Sequence, residues 1–228
     1  RAIHRLTKEL INLSSVHRHP YSSFPFSGLH SALENAKDQS DISDHLGTLF
    51  HEVVSVSPKL IVELGTRGGE STRSILAAAE FCDDRLLSID VDDCRPEGLT
   101  SNPRWDFIQA DDVAFGGEPF REWCQKAELE PKPGIIFIDT SHEYEHTVQE
   151  IKTWMPHLPK GGVAIFHDTN MRTLVYRRMN RSAGTSWDNH RGVIRAIEEY
   201  LGTTYDEQSR FVDVRAGFLI RHDPYCSG

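Results

Sequence analysis

The feature that most constrains the fold is a regular alternation, from Leu60 onward, of short apolar runs with longer amphipathic stretches. Short apolar runs bounded by polar residues are typical of buried strands, and the stretches between them have helical length and spacing. The apolar runs are Leu60–Leu64, Leu86–Ile89, Trp105–Ile108, Ile135–Ile138 and Val163–Phe166. The helical candidates are Ser71–Phe81, Phe120–Ala127, Tyr144–Trp154 and Gly192–Tyr200. This order predicts βαβ units, and hence a parallel sheet with helices on both faces.

The carboxyl-terminal part of the chain departs from this rhythm. Phe211–Val214 and Phe218–Arg221 are separated by a tight turn at Ala216 and Gly217, which predicts an antiparallel hairpin. The predicted fold class is therefore α/β and Rossmann-like, with a seven-stranded, mostly parallel sheet that ends in a C-terminal antiparallel hairpin.

The amino-terminal part departs from the rhythm as well. It contains two helical candidates, Ala2–Leu13 and Asp44–Val56, around a stretch rich in His, Pro, Ser and aromatic residues. Long irregular segments in compact domains are often binding loops. We predict that residues 1–58 form an N-terminal helical cap on the sheet or a lid over its active site, and that residues 59–228 form the main domain.

Charge and composition exclude several classes of partner. The formal net charge of -9 argues against nucleic acid, and the basic cluster of Arg177, Arg178 and Arg181 is explained as a solvated helix face. Four cysteines without a CxxC pair favour a reducing compartment over a disulfide framework or zinc site. No apolar run approaches the roughly 20 residues that span a bilayer, and no signal peptide is visible in a chain that begins at Arg1. We expect a cytoplasmic homo-oligomer with no membrane or nucleic-acid partner.

The segment from Leu60 to Ser71 is predicted to be a strand, a glycine-rich turn and the start of a helix. Glycines let the backbone turn sharply and let a ligand approach closely. A pyrophosphate-binding G-x-G-x-x-G fingerprint that began at Gly65 would need glycine where Arg67 and Glu70 stand, so a nicotinamide cofactor is disfavoured. S-adenosylmethionine has no phosphate and carries two cationic groups. The acid at the strand end, Glu63, either meets that positive end or braces the loop that does.

Acids also end the next two predicted strands. Asp90 stands where Rossmann-like folds bind a ribose diol, and Asp111 and Asp112 are placed to meet the adenine amino group. Three strands that each end in an acidic residue beside one crevice favour a binding pocket for S-adenosylmethionine. Its predicted residues are Glu63, Gly65, Thr66, Gly69, Ser71, Asp90, Asp111 and Asp112.

Three motifs together resemble a known group of enzymes. They are ELGTRGGES at residues 63–71, FIDTSHEYE at residues 137–145 and GGVAIFHD at residues 161–168. With these motifs in order, the sequence resembles the class I S-adenosylmethionine-dependent methyltransferases. Within that class it is similar to the metal-dependent O-methyltransferases of natural-product and sugar tailoring, which include macrolide-sugar, mycobacterial polysaccharide and cephalosporin-hydroxylase-like proteins. The resemblance implies methyl transfer to a hydroxyl of a small sugar-bearing or polyhydroxylated acceptor.

Two carboxylates are candidates for a metal site. Asp139 follows the fourth strand and Asp168 the fifth, so both should face the crevice at the carboxyl edge of the sheet. Oxygen ligands in a partly solvated site suit Mg²⁺, with Mn²⁺ as the alternative. The resembled family often has a second acid beside Asp168, where this sequence has His167. His167 is predicted as a third ligand, unless it points into the strand packing and Asn170 supplies an amide oxygen in its place.

His142, three residues after Asp139, is the predicted general base. Macrolide-sugar relatives have a histidine at this D-x-x-H position, and an imidazole can accept the proton of a hydroxyl that the metal has acidified. Asp139 is the second predicted catalytic residue. The alternatives are a metal-independent methyltransferase with His142 alone as base, a pathway protein that binds the cofactor without transferring a methyl group, and a His142 that only caps or packs at a helix start.

The polar segment Asn170–Arg191 follows the last parallel strand and is predicted to overhang the active site. Tyr176 and Trp187 are candidates for stacking on sugar faces. The candidate contacts for acceptor carboxylates or hydroxyls are Arg172, Arg177 and Arg178. The alternative is a surface excursion without a role in binding.

Overall fold

The structure is a computed structural model that describes residues 30, 34, 40, 42–96, 98–170, 174–177, 181–185 and 188–222. For residues 174–177 and 182–185 it describes the backbone alone. The predicted helix Ala2–Leu13 and the side chains of Arg172, Arg178 and Trp187 lie outside the described residues.

The centre of the molecule is a five-stranded sheet in which every pair of neighbouring strands is parallel. Its strands are β1 Leu60–Leu64, β2 Arg85–Asp90, β3 Trp105–Gln109, β4 Ile135–Ile138 and β5 Val163–Phe166. Their spatial order is β3-β2-β1-β4-β5. The order reverses between β1 and β4, and ligands of open α/β sheets bind outside the carboxyl ends of the strands at such a point.

Helices cover both faces of this sheet, as predicted. They are α1 Leu46–Val56, α2 Glu70–Cys82, α3 Asp112–Phe115, α4 Glu118–Lys126, α5 Tyr144–Trp154 and α6 Gly192–Leu201. Single 3₁₀ turns, Ser43–His45 and Met155–His157, precede α1 and follow α5. The strands β1, β4 and β5 and the helix α5 have the predicted bounds. The other predicted elements within the described residues differ from their predicted bounds by one or two residues at an end.

The side chains of β1 show how the two faces are built. Ile61 packs with α1 and α2 in one apolar cluster, which includes the buried Leu46 and Ile75. Leu64 and its strand neighbours pack on the opposite face with Phe120 of α4 and with Trp154 of α5. This alternation is the two-residue period of a strand, and burial on both faces explains why every residue of β1 except Glu63 is apolar.

The predicted hairpin forms, but it does not extend the sheet. Strands β8 Phe211–Arg215 and β9 Phe218–His222 pair antiparallel around a turn in which Ala216 and Gly217 have positive φ. Within the described residues they pair only with each other, so the predicted seven-stranded sheet is wrong and the parallel sheet has five strands.

A second hairpin was not predicted. Strands β6 Leu174–Arg177 and β7 Ser182–Thr185 pair antiparallel within the polar segment that follows β5. No helix in the described part of the chain is long and apolar enough to cross a membrane.

Candidate active site

Four polar side chains meet at the carboxyl ends of β4 and β5. The register pairs Ile138 with Phe166, so the residues that follow, Asp139 and His167, leave the sheet side by side. The Nδ1 atom of His167 lies 3.0 Å from Asp139 Oδ1 and 3.2 Å from Asp168 Oδ1. The Nε2 atom of His142 lies 3.0 Å from Asp139 Oδ1 and 3.5 Å from Asp168 Oδ2. The predicted catalytic and metal-binding residues therefore form one cluster.

Two members of this cluster have left-handed backbone conformations. The φ angles of His142 and Asp168 are 58° and 52°, which for a residue other than glycine costs about 1 to 2 kcal/mol. Contacts outside the cluster hold this geometry, since Asn189 Nδ2 donates to the backbone oxygen of Asp168 at 2.9 Å. Strain that the surroundings impose in this way concentrates at functional sites.

The charges of the cluster are strongly coupled. Burial alone would raise the pKa of Asp139, but His167 and His142 outweigh burial and hold that pKa far below its usual range. Burial alone would lower the pKa of His167, but Asp139 and Asp168 outweigh it and raise that pKa well above its usual range. The cluster therefore stabilises a positive charge between two carboxylates.

The donor set fits a divalent metal. Asp139, His142 and His167 each offer a ligand atom, and these atoms lie within 4.8 Å of one another. Both ring nitrogens of the buried His167 lack an aligned hydrogen-bond partner. Of the two alternatives for the third ligand, the structure brings His167 to the carboxylates. The side-chain oxygen of Asn170 instead accepts a hydrogen bond from Gln208 Nε2 at 2.8 Å.

The glycine loop passes directly beneath this cluster. Gly65 has a φ of 88°, and a Cβ atom built on it would lie 2.0 Å from the backbone oxygen of Asp139, so no larger residue fits. Asp90 holds the loop, because its Oδ2 accepts hydrogen bonds from the backbone N–H groups of Thr66 at 2.8 Å and of Arg67 at 3.0 Å. Burial alone would raise the pKa of Asp90, but these bonds, with one from the Asp92 N–H, lower it.

Glu63 lies under the loop and is fully buried. Its carboxylate accepts hydrogen bonds from the hydroxyls of Ser71 at 2.7 Å, Thr72 at 2.8 Å and Ser88 at 2.5 Å. Burial raises the pKa of Glu63 to about 7, although the three hydroxyls oppose the shift. Glu63 thus braces the start of α2, directly after the loop that it was predicted to brace. Its predicted contact with the cofactor stays a prediction.

A cavity of about 260 Å³ lies between the loop and the cluster. The predicted site residues that line it are Gly65, Thr66, Ser71, Asp139, His142 and Asp168. The lining residues that were not predicted as binding residues are Ile42, Arg67, Glu70, Thr140 and Ser141. Arg67 and Glu70 lie inside the predicted loop and Thr140 and Ser141 inside the D-x-x-H motif, so position in a motif could have found them. Ile42 carried no such signal.

Three other predicted cofactor residues, Gly69, Asp111 and Asp112, are not among the residues that line this cavity. Gly69 is the N-cap of α2. The side chain of Asp111 caps α3 by accepting a hydrogen bond from the Ala114 N–H at 2.7 Å. Asp112 is buried, and its carboxylate contacts His146 rather than the cavity. The expected contact of Asp111 and Asp112 with adenine stays a prediction.

A comparison with known families finds one match. Residues 62–169, just under half of the chain, match the family model described as a methyltransferase domain. Over this range the chain is similar to methyltransferase domains. The matched range contains the glycine loop and every member of the four-residue cluster. No curated protein sequence matches the chain.

Solved structures with a TM-score of 0.50 or more share the fold of this chain. The cofactor-bound Rv0187 from MTB has a TM-score of 0.51 and 14% identity, and the match covers 94% of this chain and 93% of that one. An O-methyltransferase from Bacillus cereus in complex with SAH has a TM-score of 0.50 and 15% identity, with 95% and 94% covered. The MycE methyltransferase from the mycinamycin biosynthetic pathway, in complex with Mg, SAH and mycinamycin VI, has a TM-score of 0.47 and 21% identity. That match covers 65% of this chain and 38% of MycE.

Proposed function

We propose that this protein transfers a methyl group from S-adenosylmethionine to a hydroxyl of a small sugar-bearing or polyhydroxylated acceptor, with the help of a divalent metal. The observation that carries the proposal is the convergence of Asp139, His142 and Asp168 on a cavity whose other wall is the glycine loop, with His167 in contact with both carboxylates. The methyl carbon of the donor and the hydroxyl oxygen of the acceptor must meet in one small volume. This cavity is a volume that both can enter.

The loop wall of the cavity is the proposed binding site for S-adenosylmethionine. Gly65, Thr66 and Ser71 line the cavity, and Glu63 and Asp90 hold the loop in shape from behind. Because Asp90 accepts from loop N–H groups, its proposed contact with the ribose requires it to share its oxygens between loop and ligand. Asp111 is proposed for the adenine side, whereas the carboxylate of Asp112 faces His146.

Asp139, His167 and Asp168 are the proposed metal ligands, with Mg²⁺ or Mn²⁺ as the ion. Two carboxylates suit either ion, and the imidazole of His167 favours Mn²⁺. A bound divalent ion supplies Lewis acidity, which lowers the pKa of the acceptor hydroxyl and fixes its oxygen.

His142 is the proposed general base. It lines the cavity, and the carboxylates of Asp139 and Asp168 lie 3.0 and 3.5 Å from its Nε2. These carboxylates orient the ring and stabilise the imidazolium that forms when it accepts the hydroxyl proton. The hydroxyl oxygen then bonds to the methyl carbon as the bond from that carbon to sulfur breaks, and S-adenosylhomocysteine leaves.

The polarity of the cavity supports a hydroxyl-rich acceptor. Apart from Ile42 and Gly65, every lining residue carries a polar side chain. Buried polar groups that lose water on binding need new hydrogen-bond partners, which a sugar or polyol supplies and an apolar acceptor does not.

The test combines metal removal with one substitution. Exhaustive chelation should abolish methyl transfer, and Mg²⁺ or Mn²⁺ should restore it. Asp168→Ala should abolish turnover while S-adenosylmethionine affinity, measured calorimetrically, stays within about tenfold, or about 1.4 kcal/mol. The control is Glu130→Ala, which removes an exposed carboxylate and should leave both properties unchanged.

Three results would contradict the proposal. Full activity after chelation would favour the metal-independent reaction with His142 alone. Retained turnover in Asp168→Ala would remove the metal ligands proposed here. Tight cofactor binding without turnover on a broad panel of sugars and polyols would favour a protein that binds the cofactor without transferring the methyl group.

A further inference from the structure

A second cluster of ionisable side chains lies outside the candidate active site. Asp112 begins α3, and His146 and Glu150 stand one turn apart on α5, so they project from the same face of that helix. The Nε2 atom of His146 lies 3.1 Å from Asp112 Oδ1 and 3.6 Å from Glu150 Oε1. The potential ligand atoms of the three residues lie within 4.8 Å of one another.

The acidic members of this cluster have unsatisfied oxygens. Glu150 is fully buried and Asp112 is 5% exposed. Glu150 Oε2 and Asp112 Oδ2 are buried and have no hydrogen-bond partner. A buried carboxylate oxygen without a donor is costly, and two adjacent carboxylates add their mutual repulsion. Burial and then the charge of Asp112 raise the pKa of Glu150 to about 7, although Thr140 and His146 oppose the shift.

The cluster is distinct from the catalytic cluster but is joined to it by one residue. None of its three members lines the cavity described above. Thr140, which follows Asp139, does line the cavity. Its hydroxyl donates a hydrogen bond to Glu150 Oε1 at 2.5 Å. A ligand that restrains the side chain of Glu150 therefore also restrains Thr140, which forms part of the cavity wall.

We propose that Asp112, His146 and Glu150 form a second divalent-cation site, one that takes a transition-metal ion of the Zn²⁺ type. One imidazole and two carboxylates at this separation are a ligand set that Zn²⁺ and Mn²⁺ accept, with water in the remaining positions. The cation neutralises two buried acids and gives the unpartnered oxygens a ligand. It also ties the start of α3 to α5. His146 is 28% exposed, which gives an ion a path from solvent.

The first experiment counts zinc on the full chain. We expect equilibrium dialysis followed by metal analysis to find two Zn²⁺ ions per wild-type chain, one in each cluster, and one ion in His146→Gln. Glu150→Gln should also lose one ion or bind it at least tenfold more weakly. The control is His51→Gln, which removes an exposed imidazole on α1 and should keep both ions.

The second experiment locates the ion without any substitution. Crystals of the wild-type protein soaked in Zn²⁺ should show an anomalous peak among Asp112, His146 and Glu150. His146→Gln decides the count if Glu150→Gln fails to fold, because His146 is partly exposed. No peak at this cluster, or unchanged zinc binding in His146→Gln, would overturn the proposal. Neither readout depends on methyl transfer, so this proposal and the proposed function can fail separately.

Discussion

Two imidazole rings approach the same oxygen atom, Asp139 Oδ1, each from 3.0 Å, yet their surroundings differ. His167 is buried and does not line the cavity, whereas His142 does. Only His142 can therefore reach an acceptor hydroxyl in the cavity directly. His167 can act only through the carboxylates or through an ion that it shares with them. This difference in access supports the proposed roles, His142 as the base and His167 as a metal ligand.

Removal of the His142 ring tests this division of roles. His142→Ala should lower kcat by about 10²- to 10⁴-fold, the usual contribution of a general base. S-adenosylmethionine affinity should stay unchanged, and added imidazole should restore part of the rate in the variant. Steady-state kinetics with and without imidazole check this, with His51→Gln as the surface-histidine control. A rise in KM with unchanged kcat would instead make His142 a residue that only positions the acceptor.

Most residues of the candidate site could be predicted, because they follow parallel strands whose carboxyl ends share one sheet edge. Asp139 and Asp168 were predicted together on that argument and lie together. Two outcomes depend on neighbours that are distant in sequence. Glu63 braces the start of α2 with the help of Ser88, and the carboxylate of Asp112 faces His146 instead of the cavity. A single sequence does not show those neighbours, so it could not decide which carboxylates face the cavity.

At the scale of elements, all five predicted parallel strands are present, and the bounds of β1, β4 and β5 match. Strands β2 and β3 extend into the polar residues beside their apolar runs, Arg85, Asp90 and Gln109, because backbone pairing continues past the end of an apolar run. The hairpin β8–β9 was also predicted, but its separation from the sheet was not. Local pairing across a two-residue turn leaves a sequence signal, whereas attachment to a sheet edge is a tertiary choice that leaves none.

The turn between β1 and α2 should tolerate no side chain at Gly65. Gly65→Ala would put a Cβ atom 2.0 Å from the Asp139 backbone oxygen at a φ of 88°. Overpacking and left-handed strain together should lower the free energy of unfolding by about 3 kcal/mol or more. The control is Gly202→Ala, because Gly202 also has a positive φ, 64°, but open space around it. It should lose only about 1 to 2 kcal/mol.

Urea unfolding of both variants checks this prediction, and calorimetry measures their S-adenosylmethionine affinity. Gly65→Ala should also bind the cofactor more weakly, because the loop must move away from Asp139 to relieve the clash. Equal losses of stability in the two variants would show that strain alone matters and that the loop and β4 are not in close contact.

At the scale of the whole molecule, the buried acids make stability depend on pH. Glu63, Asp84 and Glu150 are buried, and burial is the first cause that raises the pKa of each to about 7. A carboxyl whose pKa is higher in the folded protein than in the unfolded chain binds its proton more tightly when folded. Its contribution to stability is complete below the unfolded pKa and is lost as the pH rises through the folded pKa.

Glu63 offers the cleanest test of this dependence, because it is fully buried and its hydrogen-bond partners are hydroxyls that do not titrate in this range. Its pKa rises from 4.5 to about 7 on folding. Relative to Glu63→Gln, which stays neutral, the wild-type protein should lose about 3 kcal/mol of unfolding free energy between pH 4.5 and 7.5. Urea unfolding of both proteins at intervals across that range measures the difference. The control is Glu122→Gln, which replaces an exposed carboxylate on α4. A difference between wild type and Glu63→Gln that is constant across the range would mean that Glu63 is ionised throughout, held by its three hydroxyls against the effect of burial.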